Sequence, residues 1–172
     1  AAEDADITLK LKNYFAPCLE KEGLESLFYD IEMPLIYVLA EMEYTGVTLD
    51  TVALKQSSEE LTAVLKKLEK EIYELAGMKF NINSARQVGE VLFDHLKIEE
   101  KVRKTKTGSY STSEEILEKM RSKHPVVGKL LEYRGLKKLL STYIDALPEL
   151  INPETGKIHT SYNQAVTSTG RL

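Results

Sequence analysis

Between Asp50 and Ala76 the apolar residues keep a strict rhythm. Leu54, Ser58, Leu61, Leu65, Leu68, Ile72 and Leu75 step by 4, 3, 4, 3, 4 and 3, an unbroken heptad seam, with Glu59, Glu60, Lys66, Lys67, Glu69, Lys70 and Glu71 on the other faces. That spacing predicts one helix of roughly 40 Å, at about 1.5 Å per residue. Asp50 is placed to cap its start and Gly77 to stop it. So long an apolar stripe cannot stay in water and requires a second surface to bury it. From Pro125 to Ile151 the chain supplies one, with Val126, Leu130, Tyr133, Leu140, Ile144, Leu147 and Ile151 at similar spacing and a single missed step at Lys137. The prediction is a mainly α fold built on a long antiparallel helical hairpin.

Two shorter helices are expected between the long ones. One starts at Asn83 or Ser84 and buries Val88, Val91, Leu92 and Leu96; the other starts in Ser111-Thr-Ser-Glu-Glu115, where Thr112 and Glu115 suit a capping box. The segment joining them, 97–110, carries Lys101, Arg103, Lys104 and Lys106 and reads as an exposed, mobile, basic loop at the end of the hairpin remote from the termini. Upstream, periodicity predicts a helix over 3–22 ending near Gly23 and another from about Asp30 to Tyr44, with Pro34 in its first turn. Downstream, Lys157 to Gln164 alternates as a short β segment does. One strand cannot form a sheet; it finds neighbours elsewhere or packs on the helices as an edge. The missing initiator Met and the turn signal Thr169-Gly-Arg-Leu172 suit a piece of a longer protein.

Composition narrows the function classes. Hydrophobic residues at 42% and charged ones at 29% describe a chain that folds in water, with no run of the length a membrane span needs and no secretory leader. A cytoplasmic protein, monomeric as a fragment, is expected. The single cysteine, Cys18, excludes an internal disulfide framework and reads as a plain buried or half-buried thiol. His95, His124 and His159 lack ligand spacing, and no phosphate-binding glycine loop or nucleophile–base arrangement is present. No catalytic residue is therefore assigned within the chain. The net charge of −4 conceals an uneven distribution. Residues 1–100 carry 10 Lys and Arg against 20 Asp and Glu, whereas residues 101–172 carry 13 against 7. The densest stretch, Lys119 to Lys138, holds seven cations and only Glu132. Such a stretch is either a solvated helix face or a surface that meets a polyanion. Two helix starts bracketing a basic loop, with Arg134 and Lys138 one turn apart, favour phosphate backbones as the partner.

The strings Leu131-Glu-Tyr-Arg-Gly-Leu-Lys-Lys-Leu-Leu-Ser-Thr-Tyr143, Ile151-Asn-Pro-Glu-Thr-Gly-Lys-Ile-His-Thr160 and Asn163-Gln-Ala-Val-Thr-Ser-Thr-Gly-Arg-Leu172 resemble the bacterial family-A DNA polymerases. Ile31-Glu-Met-Pro-Leu35, Gly46-Val-Thr-Leu-Asp50, Phe80-Asn-Ile-Asn-Ser84 and Ser111-Thr-Ser-Glu-Glu115 match in the same order, so the likeness covers essentially the whole chain. It implies an anatomy: 1–28 as the end of a 3′→5′ exonuclease domain, 29–49 as the entry to the polymerase domain, 50–147 as the thumb and 148–172 as the start of the palm. It further implies that the thumb clamps primer–template duplex through its sugar–phosphate backbone, in replication and repair. By position Asn81, Asn83 and Ser84 match contacts at one helix start, Thr112 and Ser113 at the other, and Lys104 and Lys106 at the loop. Arg134 and Lys138 match cations near the primer end, and Arg171 a palm arginine. Asp4 matches a metal-binding exonuclease aspartate of the parent. The parent's Mg²⁺ ions and deoxynucleoside triphosphates are implied to bind beyond Leu172, with none bound by this piece. The competing expectation is a helical-hairpin interaction module that pairs its heptad seam with another protein and ignores DNA.

Overall fold

The structure, a computed structural model, describes residues 2–99, 102 and 108–172. It divides into two compact units, one of Ala1–Leu49 with Ile151–Leu172 and one of Asp50–Leu150. Glu100, Lys101 and 103–107 lie outside the described residues, and with them the expectations placed on the basic loop, Lys104 and Lys106 included.

The unit of Asp50–Leu150 is the predicted hairpin. Its first long helix, designated α3, spans Thr51–Ala76; Asp50 Oδ1 accepts from the Ala53 amide at 2.9 Å, and Gly77 ends the helix in the left-handed conformation at φ 70°. Its second, α6, spans Pro125–Leu139 and continues through a widened π turn over Leu140–Ile144, where the Asp145 amide reaches back to the Leu140 carbonyl. His124 caps α6 through its ring Nδ1, which accepts from the Val126 amide at 3.2 Å. Two cross-links fix the direction of pairing. Ser58 Oγ donates to Asp145 Oδ1 at 2.7 Å, and Lys129 Nζ reaches Glu71 Oε2 at 2.8 Å. Position 58 meets 145 while 71 meets 129, so the helices run antiparallel. The second is shorter than the apolar pattern to Ile151 suggested. Residue 147 precedes Pro148 and is biased away from helical backbone, and the chain passes into a 3₁₀ turn at Leu147–Leu150.

Burial along the seam is graded. Leu54, Ser58 and Leu61 are half-buried, while Leu65, Leu68 and Ile72 are enclosed by Val126, Val127, Leu130, Tyr133 and Leu140. The two short helices close this deeper half. α4, Ala85–Gly89, runs into a π turn over Glu90–His95 and contributes Val88, Leu92 and Phe93; α5, Glu114–Lys119, contributes Leu117, followed by Met120. Tyr73 packs edge-to-face on Phe80 and donates to Glu69 Oε1 at 2.7 Å. Burial, and then that hydrogen bond to a carboxylate, push its phenol up to about 12.

In the other unit α1 spans Ala2–Glu22 and buries none of its residues. Cys18 is accordingly exposed, with Sγ 3.3 Å from the Tyr14 carbonyl, rather than the buried or half-buried thiol expected. α2, Met33–Thr45, keeps Pro34 in its first turn as expected, but a π turn over Leu27–Glu32 leads into it, so helical backbone begins before Asp30. Proline lacks an amide and crowds the carbonyl four residues back, and a widened turn is one way a helix absorbs both. The expected strand reduces to one antiparallel bridge, Val47 to Ile158. Instead of pairing in a sheet, the segment runs along α2 as an edge, tied by side chains. Lys157 Nζ donates to the Thr45 carbonyl, Glu43 Oε1 accepts from the Tyr162 amide, and Gln164 Nε2 donates to the Glu32 carbonyl. Among the described residues no helix is long and apolar enough to cross a membrane.

Two tests follow from the hairpin. Leu130→Ala removes a fully enclosed side chain and is expected to cost about 2–5 kcal/mol, measured by urea denaturation. The Lys129 ammonium, by its hydrogen bond and charge, holds the Glu71 carboxyl below its ordinary value. A depressed carboxylate contributes stability above its unfolded pKa and loses it as pH falls through its folded one. The stability gap between the wild-type chain and Glu71→Gln is therefore expected at neutral pH and should close as acid protonates the Glu71 carboxylate. A gap independent of pH would deny the pair its role.

Candidate nucleic-acid interface

The basic stretch is not uniformly solvated. Lys119 pairs with Glu115, Arg121 with Glu118, Lys123 with Glu99, and Lys129 with Glu71 and Glu132. That leaves Arg134, Lys137 and Lys138, which pair with no carboxylate among the described residues. All three line one open groove of about 850 Å³ in the Asp50–Leu150 unit. Helical periodicity puts them there, since 134, 137 and 138 on α6 and 141 and 142 in the π turn that continues it fall on one side. Ser141 and Thr142 extend that wall. The facing wall is Asn83 and Arg86 at the start of α4, and the segment Ser109–Ser113. No aspartate or glutamate lines the groove among the described residues. Arg86 is neutralised by Glu90 at 2.8 Å, but the other three cations, several hydroxyls and the lack of a lining carboxylate make a surface complementary to an anion that carries many oxygens.

The structure sorts the site residues named from sequence. Asn83, Thr112, Ser113, Arg134 and Lys138 come together in the groove. Asn81 and Ser84 stand beside it and are spent locally. The Asn81 side chain accepts from the Asn83 amide at 3.0 Å, and Ser84 Oγ caps α4 by accepting from the Gln87 amide. The capping box at Thr112 and Glu115 is not formed. The cap falls one residue later, at Ser113, whose side chain makes no capping bond, and Glu115 pairs with Lys119. Thr112 is buried because its oxygens serve another partner. Arg134 Nη1 donates to the Thr112 carbonyl at 2.5 Å and Nη2 lies 3.3 Å from its Oγ1. Arg134 is half-buried, and that desolvation lowers its pKa from the ordinary arginine value. Lys138 is exposed at the groove. Arg171 and Asp4 belong to the other unit, both exposed; among the described residues no cluster of three His, Cys, Asp or Glu is placed to hold a metal.

Sequence inspection missed Arg86, Ser109, Ser111, Lys137, Ser141 and Thr142. Lys137, Ser141 and Thr142 were within reach, being one helical turn from residues already chosen. Ser109 and Ser111 were not, because their position depends on how the segment after the loop is held. Tyr110 donates to Asp94 Oδ1 at 2.6 Å and packs its ring on Phe93. Gly89 lets the segment approach α4, since a Cβ there would sit 2.8 Å from the Tyr110 Cβ.

A helical hairpin with a polar, cationic groove defines a class of binding scaffold, and comparison with known proteins makes it specific. The chain belongs to DNA polymerase family A, whose model matches residues 51–172. Its relatives include the DNA polymerase I of Geobacillus stearothermophilus, 51% identical over 90% of this chain and 17% of that protein. Those of Chloroflexus aurantiacus and Thermus thermophilus are 46% and 45% identical over the whole chain, covering 19% and 21% of their lengths. The chain thus spans about a fifth of these relatives. Among solved structures, the POL domain of Pol1 from M. smegmatis, in complex with DNA primer-template and dNTP, matches with a TM-score of 0.79 at 34% identity. That match covers 95% of this chain and 29% of that one.

Two glycines test the packing of the groove walls with opposite signs. Gly89→Ala drives a Cβ into Tyr110 and is expected to destabilise by about 1–3 kcal/mol. At Gly135, on α6, a Cβ meets nothing within 4 Å. There Gly135→Ala is expected to stabilise by about 0.5–1 kcal/mol through helix propensity. Thermal or urea unfolding of the two variants reads both.

Proposed function

We propose that this chain is the duplex-holding part of a bacterial DNA polymerase, its thumb spanning about 50–147. Residues 1–28 close a 3′→5′ exonuclease domain, 29–49 enter the polymerase domain and 148–172 begin the palm. The compact unit of Asp50–Leu150 supports the thumb boundaries. The parent extends primers on a template from deoxynucleoside triphosphates with two Mg²⁺ ions, in the bacterial cytoplasm at the nucleoid. The carboxylates for that chemistry lie in the remainder of the protein. Asp4 belongs to the parent's exonuclease metal site, and Arg171 to the palm's contact with the primer terminus.

One observation carries the reading. Four of the seven cations in Lys119–Lys138 are taken by carboxylates, and the other three, which pair with none among the described residues, share one groove that no described carboxylate lines. A polymerase must hold any sequence, so its grip belongs on phosphates, which supply affinity without sequence information. Lysines and hydroxyls spaced along a helix suit that task, and the acidic first half is compatible because one face alone meets the duplex. Family membership, and the solved relative whose complex contains DNA primer-template, support the same partner. A seam-mediated interaction module is less well supported, because Leu65, Leu68 and Ile72 are already covered by α6, α4 and α5.

The 172-residue chain is expected to bind a short primer–template duplex weakly, with affinity falling steeply as salt rises. Lys138→Ala should shallow the slope of log K against log salt by about 0.9, the value for one phosphate contact on B-form DNA. Fluorescence anisotropy across a salt series measures it, and indifference to DNA at low salt would exclude the thumb reading.

A further inference from the structure

The groove's cations are not equivalent. Lys138 is exposed, whereas Arg134 is half-buried with its guanidinium turned onto Thr112. The Nη1 bond goes to a backbone carbonyl, and both Thr112 oxygens are engaged by the same planar fork. Thr112 is the one polar residue buried in the described part of the chain. The segment it anchors is clasped from the opposite side as well, by the close approach of Tyr110 to Gly89 and by the Tyr110–Asp94 hydrogen bond. The wall formed by Ser111 and Ser113 thus hangs between α4 and α6, with Arg134 as its attachment to α6.

Resting on the thumb reading above, we infer that Arg134 is a positioning residue. It fixes the hydroxyl-bearing Ser111–Ser113 wall at its distance from the Lys137–Lys138 wall, and Lys138 rather than Arg134 neutralises phosphate. The geometry favours this division of labour over a second phosphate contact. A guanidinium spent on a carbonyl and a hydroxyl has fewer N–H groups to offer phosphate oxygens. Its desolvation also runs against a solvent-facing role. Lysine cannot take its place, because an ammonium is a point donor and cannot span two acceptors in the plane of a fork.

The experiment is anisotropy titration of a labelled primer–template duplex by the full 172-residue chain between about 50 and 200 mM salt, the range in which counterion release is resolved. The variants are Arg134→Lys, Arg134→Met, Thr112→Val and Arg134→Lys with Thr112→Val, each compared where urea curves show it fully folded. Arg134→Lys and Arg134→Met should both weaken binding by about tenfold, as expected when a pre-organised wall is released, with the salt slope unchanged. Thr112→Val should add nothing in the Arg134→Lys background, because the bond it removes is already gone. Wild-type affinity in Arg134→Lys would overturn the inference, since charge alone would then suffice. A slope shallower by about 0.9 in Arg134→Met would do so too, by revealing a direct phosphate contact. Should Arg134→Met not fold, the Lys variant and the double mutant carry the test. Absence of duplex binding by the wild-type chain would instead remove the thumb reading itself, an outcome separable from the others.

Discussion

The burial of the α3 seam against α6 is the contact on which the rest is built. Leu65, Leu68 and Ile72 leave water only because Val126, Leu130 and Tyr133 lie opposite them, and the short helices α4 and α5 have a surface to dock on only because that pair exists. Removing apolar area from water is the main favourable contribution to such a fold. Its consequence for function is positional. The face of α6 turned away from the seam is fixed by that packing, and the residues that recur on it form one wall of the groove.

Charge within the unit follows from the same packing. A stretch that reads as seven cations and one anion becomes, once folded, four paired cations and one cationic patch. Partners are drawn from the preceding helical turn, as with Lys119 and Arg121, or from distant chain, as with Lys123 and Lys129. Exposed pairs of this kind stabilise little. Within this stretch their larger effect is to offset charge except at Arg134, Lys137 and Lys138, so that a chain of net negative charge still presents a place for an anion.

Much of this was legible in the residues. The heptad rhythm announced the hairpin, Asp50 and Gly77 marked the ends of its first helix, and the stripe of Val88 and Leu92 marked a short helix between. These are local properties, set by side-chain period and by capping chemistry. The π turns at Leu27–Glu32, Glu90–His95 and Leu140–Ile144 were not legible, because widening by one residue leaves no compositional mark. Nor was the side on which Thr112 would turn. A threonine before two glutamates suits a cap, but here a guanidinium 22 positions later outcompetes the helix start for its oxygens. The strand-like alternation of Lys157 to Gln164 left two outcomes open, neighbouring strands or an edge on the helices, and the hydrogen bonds to α2 and the turn before it realise the second. Cys18 was misjudged for a related reason: apolar neighbours on a helix predict burial only if something covers them.

One small contact limits what the hairpin can do. Ser58 sits in a line of leucines and meets Asp145 across the interface. A heptad-repeating pair can in principle slide by seven residues and recover an apolar match. Such a slide would carry Asp145 toward Leu65, setting a carboxylate beside an enclosed hydrocarbon, and would part Glu71 from Lys129 in the same movement. The two rods therefore act as a ruler with one permitted setting. Whatever lies in the groove meets α6 at a single height relative to α4 and α5, so the Asp50–Leu150 unit cannot lengthen or shorten the surface it presents.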